Sequence, residues 1–116
     1  MDMIEIKDLS LRAIIGIYPE ERKEKQDVIL NITLHADLRK AGKSDDLKDT
    51  VDYKTLKKKI ISLVEGSSYN LIEALGEAVA ALCLKEKKVK RAQVSIDKPG
   101  ALRFARSVAV TVDRTR

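Results

Sequence analysis

Val28-Ile29-Leu30-Asn31-Ile32-Thr33-Leu34-His35-Ala36-Asp37-Leu38 is the stretch whose reading decides the architecture. Val28, Leu30, Ile32, Leu34, Ala36 and Leu38 share one parity; Asn31, Thr33, His35 and Asp37 share the other. Alternation with period two marks a half-buried strand and predicts one over residues 27–38. Such a strand runs about 35 Å, long for so small a chain. Its backbone groups stay unpaired along part of that length unless another edge covers them, which points to pairing between subunits.

Moving outward from it, Tyr18-Pro19-Glu20-Glu21-Arg22-Lys23-Glu24-Lys25 reads as a polar connection of hairpin type. Residues 3–16 precede it as a second strand with a phase change. Ile4 and Ile6 lie on one parity, and Leu9, Leu11, Ala13 and Ile15 on the other. One extra residue near Lys7-Asp8, a β-bulge, reconciles the two. On the other side, residues 41–50 are a polar connection leading to Asp52, an N-cap for a helix striped by Tyr53, Leu56, Ile60, Leu63 and Val64 and followed by Gly66 at C′. A second helix opens at Tyr69-Asn70-Leu71-Ile72-Glu73, with Leu71, Leu75, Val79 and Leu82 at helical spacing and Ile72 and Cys83 widening the stripe. Ala92, Val94 and Ile96 then alternate as a strand, and Val108, Val110 and Val112 form the last one. The order strand–strand–helix–helix–strand–strand predicts an α+β domain over residues 1–116, an antiparallel sheet with two helices on one face.

Composition excludes several classes. No run approaches the ~18 apolar residues of a membrane span, and Met1-Asp2-Met3-Ile4-Glu5 lacks the basic and apolar regions of a secretory signal. A single cysteine, Cys83 on a core-facing position, fits a reducing cytoplasm. With one His and one Cys the chain does not build a three-ligand zinc site of the usual kind, so no metal is expected. The net charge of +5 comes from runs such as Lys57-Lys58-Lys59 and residues 85–91. These read as solvated helix faces and ends, and the four aromatic rings are not interleaved with them, so no nucleic-acid partner is expected.

Three side chains invite a chemical reading beside a structural one. Glu73 sits at the edge of its helix's apolar stripe; either it closes an Asn70-x-x-Glu73 capping box, or it is a two-pronged acceptor for paired N–H donors. Tyr53 is either a core aromatic with a wet hydroxyl or a site residue. Lys98 continues the apolar parity of Ala92, Val94 and Ile96 immediately before Pro99-Gly100, where a lysine is uncommon; it either borders a cavity or bends out to solvent. His35, the only histidine, lies on the polar face of its strand with no carboxylate or cysteine at ligand spacing and reads as a surface residue.

Ile15-Gly16-Ile17-Tyr18 with Glu21 and Gln26, Ser44-Asp45-Asp46-Leu47, Thr50-Val51-Asp52-Tyr53, Asn70-Leu71-Ile72-Glu73 and Lys98-Pro99-Gly100-Ala101 together resemble the dihydroneopterin aldolase family. Each piece is short, but their order and spacing span nearly the whole chain. The resemblance implies a tunnelling fold (T-fold) whose subunits join their sheets into a barrel, as a tetrameric ring and a stacked octamer. It implies a pterin substrate, no cofactor and no metal. Glu73 aligns with the glutamate that grips the pterin, Lys98 and Tyr53 with the catalytic lysine and tyrosine, and Glu21 with the loop glutamate near the substrate's hydroxylated tail. Backbone groups around Val51-Asp52 and Leu71-Ile72 align with further pterin contacts. A sister branch epimerises dihydroneopterin triphosphate at C2′. Residues 101–108 and Lys25-Gln26-Asp27 resemble that branch, in which Arg103 or Arg106 would meet phosphates; Pro99-Gly100 and Val51-Asp52 resemble the aldolase more.

Overall fold

The computed structural model describes residues 1–116. Four strands, β1 (Asp2–Ala13), β2 (Gln26–Ala36), β3 (Arg91–Pro99) and β4 (Ser107–Thr115), form one antiparallel sheet in the order β1-β2-β3-β4. Between β2 and β3 run three helices, α1 (Arg39–Ser44), α2 (Tyr53–Glu65) and α3 (Ile72–Leu84). The expected antiparallel sheet is present. The strand predicted over 27–38 ends at Ala36, and Leu38 instead leads into α1, a short helix that the polar sequence of the connection did not signal.

The parity argument sets the layers. Val28, Leu30, Ile32 and Leu34 on β2 and Ala92, Val94 and Ile96 on β3 are fully buried, or nearly so, on one face. Helix α3 packs on β3 and β4, and α2 lies against β1 and α3, so a single apolar core fills the space between sheet and helices. The bulge falls where the phase change put it. Ile6 pairs with Ile32 and Leu9 with Leu30, while Asp8 adopts φ 52° and donates its N–H to Asn31 Oδ1 at 2.9 Å. The side-chain amide thus satisfies a donor that the ladder has released.

Helix α2 starts as expected, with Asp52 accepting from Thr55 N at 3.1 Å. Its first residue corrects the stripe: Tyr53 is 51% exposed and does not enter the core, which α2 supplies through Leu56, Ile60 and Val64. A first-turn side chain projects over the helix N-terminus, beyond the sheet that the rest of the stripe covers. Gly66 ends the helix at φ −89° and not in the left-handed conformation expected of a C′ glycine. Helix α3 starts later than predicted: Leu71 is its N-cap, without a side-chain bond, and half exposed. Its buried face is Ile72, Leu75, Gly76, Val79, Ala80 and Cys83. On the polar face of the sheet, His35 is half-buried rather than a free surface residue, with its Nε2 3.0 Å from Gln93 Oε1. Both outer strands, β1 and β4, have one unpaired edge. No helix is long and apolar enough to cross a membrane.

Candidate active site

Lys98 is the one charged residue among the buried ones, 9% exposed at the end of β3. Its parity aims it inward, as the sequence suggests, and Pro99 and Gly100 end the strand, so the head group emerges at the rim of the core and not inside it. There it meets Glu21, 77 residues away in sequence, with Nζ 2.6 Å from Oε2. A one-turn 3-10 helix, Pro19–Arg22, presents Glu21. Glu21 Oε1 folds back to accept from Tyr18 N at 3.2 Å, while Gln26 Nε2 donates to Ile15 O at 2.8 Å and approaches Glu21 Oε2 at 3.4 Å. The hydrogen bond from Lys98 holds the Glu21 carboxyl below the ordinary range, against burial and with help from the Tyr18 N–H. Gly16 is what makes room for this arrangement. At φ 123°, it would place any Cβ onto the Glu21 carboxylate, so only glycine fits both the backbone and the space.

The same cleft is bordered by Glu73, at the second position of α3. The capping box expected as one of its two readings does not form: Asn70 lies outside the helix and Leu71 caps it without a side-chain bond. An exposed carboxylate in the first turn of a helix, beside unsatisfied backbone N–H groups, is ready for an external donor. Ile15, Ile17, Ile72, Val108 and Val110 give the cleft apolar walls, and its volume is about 330 Å³. That is near the lower bound for small-molecule sites, ~300 Å³.

Leu71 and Ile72 border the cleft as expected, but Val51, Asp52 and Tyr53 do not. Val51 is buried in the core, Asp52 caps α2, and Tyr53 stands exposed at the helix start. The chain therefore holds Glu21, Lys98 and Glu73 together and leaves Tyr53 apart from them. A larger cleft, about 650 Å³, lies at the other end of β2, but charged side chains alone line it, and Asp37 and Asp49 pair there with Arg39 and Lys40. It has neither an apolar wall nor a shielded acid–base pair, and the smaller cleft has both. Arg22 was not legible as a site residue in the sequence. It reaches from the same turn to the carbonyls of Gly16, Ser68 and Tyr69, and no local pattern marks acceptors so far along the chain.

The sheet, the helices on one face and the cleft at the sheet's end define the class: a T-fold domain with a cleft of small-molecule size. The family model for dihydroneopterin aldolase (FolB) matches residues 4–113, and the chain belongs to that family. It is 43% identical over 115 residues to the folic acid synthesis protein FOL1 of Dictyostelium discoideum, covering 99% of this chain and 18% of that much longer protein. It is 40% identical over 114 residues to the dihydroneopterin triphosphate 2'-epimerase of Escherichia coli (strain K12), covering 98% and 95% of the two chains. The crystal structure of E. coli dihydroneopterin aldolase in complex with neopterin superposes with a TM-score of 0.93 at 35% identity, covering 98% of this chain and 99% of that one.

Proposed function

We propose that this protein is a dihydroneopterin aldolase of folate biosynthesis, acting in the cytoplasm on 7,8-dihydroneopterin without metal or cofactor. The observation that carries the reading is one cleft with the Lys98–Glu21 pair, both side chains largely shielded, and, beside apolar walls, the carboxylate of Glu73 with no partner in the chain. The 2-amino-4-oxo edge of a pterin offers adjacent N–H donors, and Glu73 offers two acceptors; backbone groups at Leu71 and Ile72 add to the grip. The hydroxylated tail then extends toward Lys98 and Glu21.

Breaking the C1′–C2′ bond leaves an electron pair that needs a sink. Aldolases usually provide one as a lysine Schiff base or a metal ion. Here the substrate's own N5=C6 imine accepts the electrons as an enamine, so the protein supplies only placed acids and bases. Lys98 takes the 2′-hydroxyl proton through a water that Glu21 orders, and C2′ leaves as the aldehyde carbon of glycolaldehyde. Lys98 also assists protonation at N5. Tyr53 relays a proton to C1′ as N5 gives its proton back, which restores the N5=C6 imine in 6-hydroxymethyl-7,8-dihydropterin. Its exposed position, apart from this chain's cleft, suits a role in a neighbouring subunit's site, with Val51 and Asp52 supplying backbone contacts there. Joined β1 and β4 edges would close a tetrameric ring, and two stacked rings an octamer.

Lys98→Ala is the direct test. It should depress the single-turnover rate by about a hundredfold or more while pterin affinity holds, and borohydride added during turnover should trap no adduct. A wild-type rate would overturn the role, and a reduced adduct on Lys98 the mechanism.

One observation favours a second reading. Identity is higher to the E. coli epimerase, 40%, than to the E. coli aldolase, 35%. C2′ epimerisation needs the same bond cleavage followed by closure on the other face of the aldehyde. Arg103 and Arg106 lie on the connection after Lys98 without an ion pair, Arg103 stacking 5.2 Å from the Phe104 ring centre. Incubation with dihydroneopterin and with its triphosphate, with product analysis for each, separates cleavage from epimerisation.

A further inference from the structure

Arg22 takes no part in the chemistry above, and no carboxylate pairs with it. Its guanidinium is half-buried and donates only to backbone carbonyls: Nη1 to Gly16 O and Tyr69 O, both at 3.0 Å, and Nη2 to Ser68 O at 2.5 Å. These acceptors belong to two separate segments. Gly16 opens the turn that holds Glu21, and Ser68-Tyr69 leads into the start of α3, where Glu73 stands. No other hydrogen bond joins residues 14–26 to residues 66–72.

Helix α3 packs on β3 and so sets Glu73 against Lys98 coarsely, but the two loops at the ends of the cleft are hydrogen-bonded to each other through one side chain alone. On one side are Glu21 and its partner Lys98; on the other is Glu73. We propose that Arg22 is a positioning residue: by tying the carbonyls of Gly16, Ser68 and Tyr69 together, it fixes the turn of Glu21 against the start of α3, and so the distance from Glu73 to Glu21 and to the Lys98 head group that Glu21 holds. That distance decides whether a substrate gripped at its ring presents its tail to the proton-transfer groups. This rests on the aldolase reading of the site.

The chemistry of the residue fits the task. A guanidinium is a planar fork whose donors point in fixed, divergent directions, so it can bind three carbonyls and define their separation. A lysine in its place keeps the charge but offers a single rotatable head that cannot hold both segments in one geometry. The clamp also reaches Glu21 twice: Arg22 is its chain neighbour, and the Gly16 carbonyl it binds belongs to the residue packed against the Glu21 carboxylate.

The test uses the full chain with Arg22→Lys and Arg22→Met. Guanine carries a similar 2-amino-oxo edge and no tail, so it probes the ring end alone. Both variants should bind guanine with wild-type affinity, while kcat for dihydroneopterin falls at least about tenfold, as misplacement of a reacting group predicts. Backbone amide relaxation by NMR should show residues 16–22 and 68–72 becoming mobile together, with β2 and β3 unchanged. A merely stabilising Arg22 would lower melting temperature and leave kcat of the folded protein intact; that result overturns the proposal. So does loosening of one segment without the other. If the wild-type protein neither binds guanine nor turns over dihydroneopterin, the aldolase reading fails, and the relaxation data still decide whether Arg22 couples the two segments.

Discussion

At the scale of single residues, what matters is which carboxylates are already occupied. Glu73 makes no hydrogen bond within the chain, whereas both oxygens of Glu21 are engaged. Glu73→Gln exchanges an acceptor for a donor against the pterin's N–H groups. It should weaken pterin binding by about 10- to 100-fold, the worth of one charge-assisted hydrogen bond, measured by calorimetric titration. Thermal stability should stay the same, since no cap is lost; a fall in melting temperature with unchanged affinity would return Glu73 to a structural role. Glu21 predicts a pH dependence. Its folded pKa lies below the ordinary value of 4.5, mainly through the Lys98 hydrogen bond. The stabilisation from this pair is therefore complete above that value and is lost as pH falls through the lowered one. Urea unfolding across the acid range should show wild type and Glu21→Gln converging in stability below about pH 4.5. A constant difference down to the lowest pH would contradict it.

At the scale of elements, the helix–sheet contact is the informative one. Helix α3 lies on β3 and β4 with Gly76 facing the sheet. A Cβ there would meet Val112 Cγ2 at 3.5 Å and Ile96 Cγ1 at 3.6 Å, ordinary van der Waals separations. The glycine therefore leaves no forced approach for an alanine to break, and it weakens the helix interior. Gly76→Ala should raise stability by about 0.5–1 kcal/mol, read as a higher denaturant midpoint with an unchanged slope. Destabilisation would mean that the helix cannot shift to accept even these contacts. Gly16→Ala is the opposite case, with a left-handed backbone and the Glu21 carboxylate in the way; the two glycines look alike in the sequence.

At the scale of the whole molecule, one chain presents an incomplete constellation and two open sheet edges. Tyr53 stands apart from the cleft that holds Lys98, and β1 and β4 are unpaired along their outer sides. The protein should therefore run as a multimer in light scattering, and its sites should draw on two subunits. Tyr53→Phe and Lys98→Ala, each nearly inactive alone, should regain about a quarter of wild-type activity per site when unfolded together and reassembled, by random pairing at a shared site. Absence of recovery in a correctly sized mixed oligomer would place both residues' roles within one chain.

The sequence alone determined the strands, the two long helices, the bulge near Lys7-Asp8 and the inward aim of Lys98. All four follow from periodicity over a few residues, which local backbone geometry enforces whatever the rest of the chain does. Local rules also misled where an element starts or a loop bends. They put Tyr53 in a core stripe and left Glu73 open between a capping box and a free acceptor, because a local pattern does not reveal where a helix's first turn starts or overhangs the sheet. Only the tertiary structure decided that Glu21 pairs with Lys98, that Glu73 stays free, and that Arg22 joins two distant turns. Those contacts link residues 46 to 77 positions apart. Their geometry is set by how sheet and helices pack and how loops close over them, and no short window of sequence contains that information.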